Sequence, residues 1–403
     1  MAPTILVINS GSSSLKFALI EAGSGRVVRQ GLAERLGTEQ ARLRTRSLEP
    51  GDGGSEKSLA GGGHAEALVE ILAHLDGLQP AAVGHRVVHG GETFSASVVL
   101  TDRAVELIRA CSDLAPLHNP PNLLGIEIAR RQFPQLAHVA VFDTAFHQTL
   151  APRAFRYAVP QELYERHRVR RYGFHGTSHS YVAGEAARLM GRPLSDLQIV
   201  TAHLGNGCSA CAIRGGRSVD TTMGLTPLEG LVMGTRSGDV DPNLHQFLAD
   251  QTGRSLVQIT DLLNRGSGLL GLSGGTSNDM RTLLQARARG DAGAALAIDV
   301  FCYRLAKGLL GMCAGLDRID ALVFTGGIGE HAAAVRAETL AHLGILGPTL
   351  DPVRNAADGV IVPPSSGAEG RITADLSRLL VLVIPTNEEL VIARETARLA
   401  DLH

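Results

Sequence analysis

Three turns rich in glycine and serine could each hold a phosphate group. The first is Asn9–Lys16, where small residues let the backbone approach an anion, hydroxyl groups donate, and Lys16 adds a positive charge. The second is His203–Gly207 and the third is Gly326–Glu330. Each follows an apolar run typical of a buried strand, and each alone is equally typical of an ordinary turn. Because three such turns occur in one chain, together they favour nucleotide binding.

Two arginines and one aspartate are candidates for handling an anionic substrate. Arg86 lies near the end of an apolar run, just before a glycine pair, and Arg236 lies in the segment Met233–Asp239. The planar guanidinium group binds carboxylate or phosphate through two N–H groups, although a solvated or structurally paired arginine is also typical of such places. Asp143 follows another apolar run and is either a carboxylate of a metal or phosphoryl site or a loop cap.

Two spacings typical of metal sites are interpreted as unrelated to metal. Cys208 and Cys211 have the C-x-x-C spacing, but no second pair accompanies them, and positions three apart in a strand face opposite sides. His175 and His179 lack the glutamate of the zinc motif H-E-x-x-H, so one of them is better suited to donate to a phosphoryl oxygen. The P-loop pattern G-x-x-x-x-G-K-[ST] is also absent from the chain.

The elements that must position these residues alternate between strands and helices, which predicts an α/β fold. Predicted strands cover residues 4–9, 15–20, 81–89, 138–142, 199–204, 208–213, 321–325 and 379–384. Predicted helices cover residues 102–110, 123–132, 242–251, 255–264, 291–315 and 387–400. Residues 50–63 are predicted to form a surface loop. From about residue 151 the strand–turn–strand opening recurs, which suggests a weak internal repeat.

The composition excludes several classes of protein. A length of 403 residues with 44% hydrophobic and 19% charged residues predicts a globular chain of two or three domains. The net charge of −2, the absence of tryptophan and the 4% aromatic content argue against nucleic acid as a partner. Five scattered cysteines fit a reducing compartment, and neither a secretory signal nor a membrane-spanning run is visible. We therefore expect a cytoplasmic protein that binds no membrane.

Taken together, the motifs resemble the acetate kinase family, which belongs to the superfamily of acetate and sugar kinases, actin and heat-shock chaperones. The matching segments run in family order over essentially the whole chain. They are residues 7–16, 84–89, 114–120, 142–147, 172–179, 203–207, 223–230, 234–239, 279–281, 324–330 and 385–389. One departure is His331, where the family often has asparagine.

The resemblance implies an α/β fold of two duplicated ribonuclease-H-like, actin-like ATPase domains around a nucleotide cleft. The N-terminal domain would comprise residues 1–150, with the C-terminal helix 386–403 packing back on it. Residues 151–385 would form the domain for nucleotide binding and for assembly into a homodimer. The implied reaction is reversible, Mg²⁺-dependent transfer of a phosphoryl group from ATP to acetate by direct in-line attack, giving acetyl phosphate and ADP. Mn²⁺ is an alternative metal.

The resemblance also implies residue roles. Arg86 would hold the acetate carboxylate, and Arg236 and His175 would stabilise the transferring phosphoryl group. The family's proposed proton donor or acceptor corresponds to Asp143, but acetate is already ionised at neutral pH, so we expect Asp143 to orient Mg²⁺ or an arginine. The implied metal-site residues are Asn9 and Glu388, and the implied methyl pocket is Val88, Leu117, Phe174 and Pro227. The implied nucleotide-binding residues are Lys16, His203, Leu204, Gly205, Asn206, Gly207, Asp279, Met280, Arg281, Gly327, Ile328, Gly329, Glu330 and His331.

Three alternatives stay open at this point. A propionate kinase of the same family differs by one methylene, which is worth only about 1–3 kcal/mol in an apolar pocket. A non-catalytic nucleotide switch would have no reason to keep Arg86 with Arg236. A sugar kinase would need polar residues where Val88 and Phe174 stand.

Overall fold

The computed structural model describes residues 2–11, 13–47, 54–75, 77–116, 118–357 and 370–402. The chain divides into two compact units: the first is Met1–Gln148 with Asn387–His403, and the second is Thr149–Thr386. Independent domains bounded at residues 150 and 386 stay a prediction, since compactness alone does not show independent folding.

The strands of the described residues belong to two sheets. The first unit contains β1 (Thr4–Ser10), β2 (Ser14–Glu21), β3 (Val27–Glu34), β4 (Arg42–Ser47), β5 (Ser55–Ser58), β6 (Ala82–Val87), β7 (Val98–Val99) and β8 (Ala137–Phe142). The second unit contains β9 (Gln198–Leu204), β10 (Cys208–Arg214), β11 (Arg217–Thr221), β12 (Ala321–Thr325) and β13 (Leu380–Val383). The strand orders are β5-β4-β3-β2-β1-β6-β8-β7 and β11-β10-β9-β12-β13.

The α-helices of the described residues occur in both units. In chain order they are α1 (His64–Ala73), α2 (Asp102–Ala110), α3 (Asn119–Gln132), α4 (Pro152–Phe155), α5 (Gln161–His167), α6 (Gly176–Met190), α7 (Leu244–Thr252), α8 (Leu256–Arg265), α9 (Gly268–Leu272), α10 (Met280–Ala288), α11 (Ala292–Met312), α12 (Gly326–His331), α13 (Ala333–Ala341), α14 (Pro352–Ala356) and α15 (Glu388–Leu399). Of these, α1, α2, α3 and α15 belong to the first unit. Among the described residues, no helix is long and apolar enough to cross a membrane.

Both units contain the same five-stranded core. In the first, β3, β2 and β1 pair antiparallel and β1, β6 and β8 pair parallel. In the second, β11, β10 and β9 pair antiparallel and β9, β12 and β13 pair parallel. The central strands are buried on both faces because helices cover parallel sheets, which is why β1 and β12 are almost continuously apolar. The strand–turn–strand repeat predicted from the sequence is therefore a repeat of topology.

Helix α15 packs on β1, β6 and β8 of the first unit. Its close approach depends on Gly84 in β6, because a Cβ there would lie 2.4 Å from Thr396 Oγ1 and 2.7 Å from Ile392 Cγ2. Asn387 caps the helix by accepting a hydrogen bond from the backbone N–H of Leu390. This packing fixes the first turn of α15, which begins at Glu388.

Two predictions about local structure were wrong. The predicted loop 50–63 contains strand β5 at residues 55–58, which pairs with β4, and residues 50–53 lie outside the described residues. The segment 326–330 was predicted to be a turn, but Gly326 has a φ of +75° and begins α12 directly after β12. Glycine takes this left-handed conformation without strain, so the helix can start with no intervening loop.

Candidate active site

Arg86 and Asp143 form an ion pair beyond the parallel strands of the first unit. Arg86 lies near the end of β6, and Asp143 directly follows β8, the strand beside it. Arg86 Nε donates to Asp143 Oδ1 at 3.1 Å, and Nη2 donates to Oδ2 at 2.5 Å. Arg86 Nη1 donates to Oδ1 of Asn9, at the end of β1, over 3.3 Å. The carboxyl ends of three adjacent strands thus converge, as is typical of ligand sites in open α/β sheets.

The burial of this pair is unequal. The side chain of Asp143 is 1% exposed, whereas that of Arg86 is 23% exposed. Burial raises the pKa of the Asp143 carboxyl to about 6, Arg86 opposes the rise and Glu388 adds to it. Burial lowers the pKa of Arg86, but the carboxylates of Asp143 and Glu388 outweigh burial and leave that pKa raised. Both groups are therefore charged at pH 7, and the guanidinium is the member that a ligand can reach.

The oxygen atoms around Arg86 fit a hard divalent cation. Asn9 supplies an amide oxygen, and Glu388 is near enough to alter the pKa values of both Arg86 and Asp143. Among the described residues, no group of three or more His, Cys, Asp or Glu could enclose a metal. Mg²⁺ commonly takes only one or two carboxylates and completes its shell with water and substrate phosphates. Asn9 and Glu388 therefore fit a Mg²⁺ ion that keeps open coordination positions.

Two asparagines of α3, which the sequence analysis missed, hold the segment after β6. Asn122 Oδ1 accepts from the backbone N–H of Val88 at 3.0 Å, and its amide donates to the carbonyl of Ser10. Asn119 exchanges hydrogen bonds with the backbone of His89 at 3.1 and 2.9 Å. Two asparagines three residues apart at the start of a helix are the sequence signal that could have identified Asn119 and Asn122 as partners of a neighbouring backbone. They fix the chain beside Arg86.

Lys16 is the last residue of the first glycine-rich segment and lies on β2. It pairs with Asn9 across β1 and β2, and its half-exposed ammonium group forms an ion pair with Glu389. The backbone N–H of Gly11 donates to the carbonyl of Ser14 at 2.8 Å, which closes the turn. Ser12, within this turn, lies outside the described residues.

In the second unit, His175 and Arg236 converge on Gly207. A Cβ at Gly207 would lie 3.4 Å from Arg236 Nη1 and 3.5 Å from both Cε1 and Nε2 of His175. Arg236 Nη1 also donates to the carbonyl of Pro227 at 3.3 Å. His175 precedes α6 with a φ of +57°, a conformation uncommon for residues other than glycine and often found at functional sites. The glycine thus leaves a recess beside a cation and an imidazole nitrogen, which suits a phosphoryl group.

A cavity of about 560 Å³ lies beside this turn, within the second unit. Eight of the predicted nucleotide-binding residues line it: Gly205, Asn206, Asp279, Met280, Arg281, Gly327, Ile328 and His331. The sequence analysis missed three further lining residues, namely Asn278, Leu284 and Ala332. Leu284 follows Met280 by one turn on the same face of α10, so helical periodicity could have found it. The apolar side chains of Met280, Leu284 and Ile328 suit the flat face of a base.

Other predicted nucleotide residues do not line this cavity. Leu204 is fully buried at the end of β9, and Gly329 is buried in α12. Glu330 Oε1 accepts from the backbone N–H groups of Gly326 at 2.9 Å and Thr386 at 3.2 Å. Glu330 therefore holds the start of α12, a positioning role that the sequence did not predict. Direct contacts of these residues with a nucleotide stay predictions.

The predicted methyl pocket is only partly described. Val88 is buried in the first unit, and Phe174 is buried and Pro227 half-buried in the second. Leu117 lies outside the described residues. That these side chains form one pocket stays a prediction.

Comparison with known proteins identifies close relatives along the whole chain. The model of the acetokinase family matches residues 4–394. The acetate kinase of Deinococcus radiodurans is 58% identical over 401 residues, which covers 97% of each chain. A propionate kinase from Francisella tularensis superposes with a TM-score of 0.91 at 44% identity, over 98% of this chain and all of the other. The acetate kinase of Porphyromonas gingivalis superposes with a TM-score of 0.90 at 39% identity, over 99% and 100%. The predicted duplicated α/β fold is confirmed.

Proposed function

The chain belongs to the acetokinase family, and on that premise we propose that it catalyses reversible phosphoryl transfer from ATP to acetate, giving acetyl phosphate and ADP. The observation that carries this proposal is Arg86, whose guanidinium is fixed by Asp143 and Asn9 while its side chain is still 23% exposed. A fixed, accessible guanidinium at the ends of parallel strands suits a small carboxylate.

The reaction joins two anions. A carboxylate oxygen of acetate attacks the γ-phosphorus in line while the bond from that phosphorus to the β–γ bridging oxygen breaks, and ADP keeps the electron pair. The enzyme's task is therefore to position the reactants and offset negative charge. Arg86 neutralises and orients the carboxylate, while Arg236 and His175 stabilise the equatorial oxygens of the transferring group. The cavity beside Gly205 and Asn206 holds the nucleotide.

Asp143 acts as a positioning residue in this mechanism. A carboxylic acid with a pKa near that of a glutamate side chain, about 4.3, is already ionised at pH 7, so no proton has to be removed. Both carboxylate oxygens of Asp143 accept from Arg86, which fixes the plane of the guanidinium. When bound, Mg²⁺ neutralises part of the negative charge of the phosphates. Asn9 and Glu388 are the residues that would hold the ion. Lys16 adds a positive charge for the nucleotide phosphates.

Acetate is favoured over propionate as the substrate because the acetate kinase of Deinococcus radiodurans is 58% identical, against 44% for the propionate kinase of Francisella tularensis. The preference is expected to be partial, since one methylene changes the free energy of binding by about 1–3 kcal/mol. Propionate should therefore be a secondary substrate.

Trapping of the acyl phosphate with hydroxylamine tests the proposal. The protein is incubated with ATP and Mg²⁺ and with acetate, propionate or butyrate in parallel. We expect most hydroxamate from acetate and little from propionate, and Arg86→Ala should form far less from acetate than the unsubstituted protein. Arg103→Ala is the matched control, because Arg103 is exposed and pairs with Glu106 on the surface of α2. More hydroxamate from propionate than from acetate would identify propionate as the preferred substrate. No hydroxamate from any of the three acids would refute the kinase proposal.

We further propose a homodimer in a reducing, cytoplasmic setting. Large apolar side chains of the second unit are exposed, among them Phe247 at 59%, Leu256 at 67% and Val257 at 77%, which supports association through this unit. The five cysteines are all unpaired, which supports a reducing compartment. Sedimentation equilibrium tests the first point, and a monomeric mass at micromolar concentration would refute it. Cell fractionation tests the second.

A further inference from the structure

Two stacked imidazoles beside the second glycine-rich turn are each held through Nδ1 by a buried serine. The rings of His175 and His203 lie 4.2 Å apart, centroid to centroid, with planes inclined by 26°. His175 Nδ1 is 2.9 Å from Ser209 Oγ, and His203 Nδ1 is 2.8 Å from Ser178 Oγ. Both serines are 0% exposed. The two contacts are alike, although one serine lies on β10 and the other on α6.

A second layer of side chains lies behind these serines. Thr386 Oγ1 donates to Ser178 Oγ at 2.8 Å. His179, fully buried, places Nε2 2.8 Å from Ser209 Oγ and Nδ1 2.7 Å from Thr201 Oγ1. Ser209 therefore lies between two imidazoles, and Ser178 lies between a hydroxyl group and an imidazole.

Counting hydrogen atoms restricts the protonation of the rings. A serine hydroxyl carries one hydrogen. Ser178 accepts from Thr386, and donation of its own hydrogen to His203 Nδ1 satisfies this buried hydroxyl in full. That direction places the proton of neutral His203 on Nε2. With a single hydrogen, Ser209 can donate to only one of its two imidazoles, so it accepts from at least one of them.

The Nε2 atoms face the glycine turn. A Cβ at Gly207 would lie 3.5 Å from His175 Nε2, and a Cβ at Gly205 would lie 3.8 Å from His203 Nε2. Arg236 already places a positive charge at Gly207, so a second cation on His175 would be repelled. A neutral imidazole has a single N–H, and it can donate from Nε2 only if Nδ1 accepts.

We propose that Ser209 and Ser178 are positioning residues that fix His175 and His203 as neutral imidazoles with the hydrogen on Nε2. Thr201 Oγ1 lies 2.7 Å from His179 Nδ1 but 3.5 Å from the carbonyl of Cys211, so its single hydrogen is assigned to the shorter contact. His179 Nε2–H then donates to Ser209, and Ser209 donates to His175 Nδ1. Both rings thereby present an N–H donor to phosphate oxygens at Gly205–Gly207. No proton moves in this arrangement, which resembles the use of neutral histidine as an electrophile elsewhere. The donation to phosphate oxygens rests on the proposed function. The assignment of the ring hydrogens to Nε2 does not depend on it.

Long-range ¹H–¹⁵N correlation of the ¹⁵N-histidine-labelled full chain tests the tautomers directly. Two internal references exist: His138 Nε2 lies 3.0 Å from the carbonyl of Phe133, and His245 Nδ1 lies 3.2 Å from that of Pro242. A carbonyl only accepts, so these residues report the Nε2–H and Nδ1–H patterns respectively. At neutral pH, His175 and His203 should match His138. An Nδ1–H pattern or an imidazolium pattern for either ring would overturn the proposal.

Substitution of the serines separates positioning from packing. Ser209→Ala should lower kcat for acyl phosphate formation about 10- to 100-fold, with the KM for ATP changed less than about twofold. It should also alter the ¹⁵N pattern of His175. Ser218→Ala is the matched control, since Ser218 is a buried serine of the same sheet that contacts Cys211. A folded Ser209→Ala protein with unchanged kcat and an unchanged ¹⁵N pattern would refute the proposal. If Ser209→Ala fails to fold, the ¹H–¹⁵N correlation of the unsubstituted protein still tests the tautomers. The same measurement applies if the protein forms no acyl phosphate.

Discussion

At the scale of single residues, Arg86 combines rigidity with access. Asp143 accepts from two of its nitrogens and Asn9 accepts from a third, yet part of the side chain remains exposed. A carboxylate that reaches it meets a donor whose orientation is already fixed, so little ordering is required at the moment of binding. The buried partner is the more vulnerable member, because Asp143 has almost no exposure to water.

Arg86→Ala should lower kcat/KM for acetate by an amount equivalent to about 3–5 kcal/mol of transition-state stabilisation. The variant should also be less stable, because Asp143 would be left as a buried carboxyl without its cation. Steady-state kinetics and urea unfolding measure the two effects, with Arg103→Ala as the control. A loss below about tenfold in kcat/KM would contradict the role given to Arg86.

The acid limb of activity should depend on Asp143. Its pKa in the folded protein is raised to about 6, above the ordinary 3.8, so the carboxylate is lost as the pH falls through about 6. Arg86 then loses its ionic partner, and kcat/KM for acetate should fall. In Asp143→Asn, kcat/KM should be lower at neutral pH, and the limb near pH 6 should be absent.

The pH profile of kcat/KM for both proteins checks this expectation. An acid limb that persists in Asp143→Asn would assign it to another group. A Mg²⁺ requirement raised at every pH, with the limb retained, would instead give Asp143 a role at the metal.

At the scale of elements, a hydrogen-bonded clamp fixes the segment 222–230, which carries Pro227. Arg171 donates from Nη1 to the carbonyls of Thr221, Thr222 and Met223 at 2.8–3.2 Å and pairs with Glu229 at 2.5 Å. The Tyr157 hydroxyl donates to Glu229 and accepts from the backbone N–H of Leu225 at 2.8 Å. Burial raises the pKa of Tyr157, which keeps the hydroxyl protonated as the clamp requires.

Tyr157→Phe should loosen this clamp without removing the ring. Loss of the buried hydrogen bonds should reduce the free energy of unfolding by about 1–3 kcal/mol. If Pro227 bounds the acyl pocket, the ratio of kcat/KM for acetate to that for propionate should move towards one. Urea unfolding and parallel kinetics measure both, and Tyr303→Phe, at a largely exposed position, is the control. A stable variant with an unchanged ratio of kcat/KM values would show that this clamp does not shape the acyl pocket.

The contact between α15 and β6 offers a second test at this scale. Gly84→Ala places a methyl against Thr396 and Ile392, so α15 must shift, and stability should fall by about 1–3 kcal/mol. The Mg²⁺ concentration for half-maximal activity should rise because Glu388 begins this helix. Gly184→Ala is the control, as a Cβ there meets nothing within 4 Å and the glycine lies within α6. An unchanged Mg²⁺ requirement would argue against Glu388 as a ligand.

At the scale of the whole molecule, the sequence predicted what is local. The strands around the first two glycine-rich turns, the order strand–turn–strand and the cavity residues of the second and third turns follow from apolar runs and small residues in one short segment each. The other predicted cavity residues, Asp279, Met280, Arg281 and His331, were implied by the family resemblance. The pair Arg86–Asp143 could not be derived from spacing, because 57 residues separate the two and only the β6–β8 pairing unites them. Strand β5 was missed because its four residues, all polar or charged, are exposed and carry no apolar pattern.

The position of α15 has a consequence for synthesis. Strands β1, β6 and β8 precede the second unit along the chain, whereas α15, the helix that covers them, follows it. Leu390, Ile392 and Ala393 are buried in this packing, so the sheet lacks their cover until α15 has been synthesised. The second unit, continuous from Thr149 to Thr386, can complete its fold earlier. A nascent chain stalled before Asn387 should consequently bind chaperones through the sheet of the first unit.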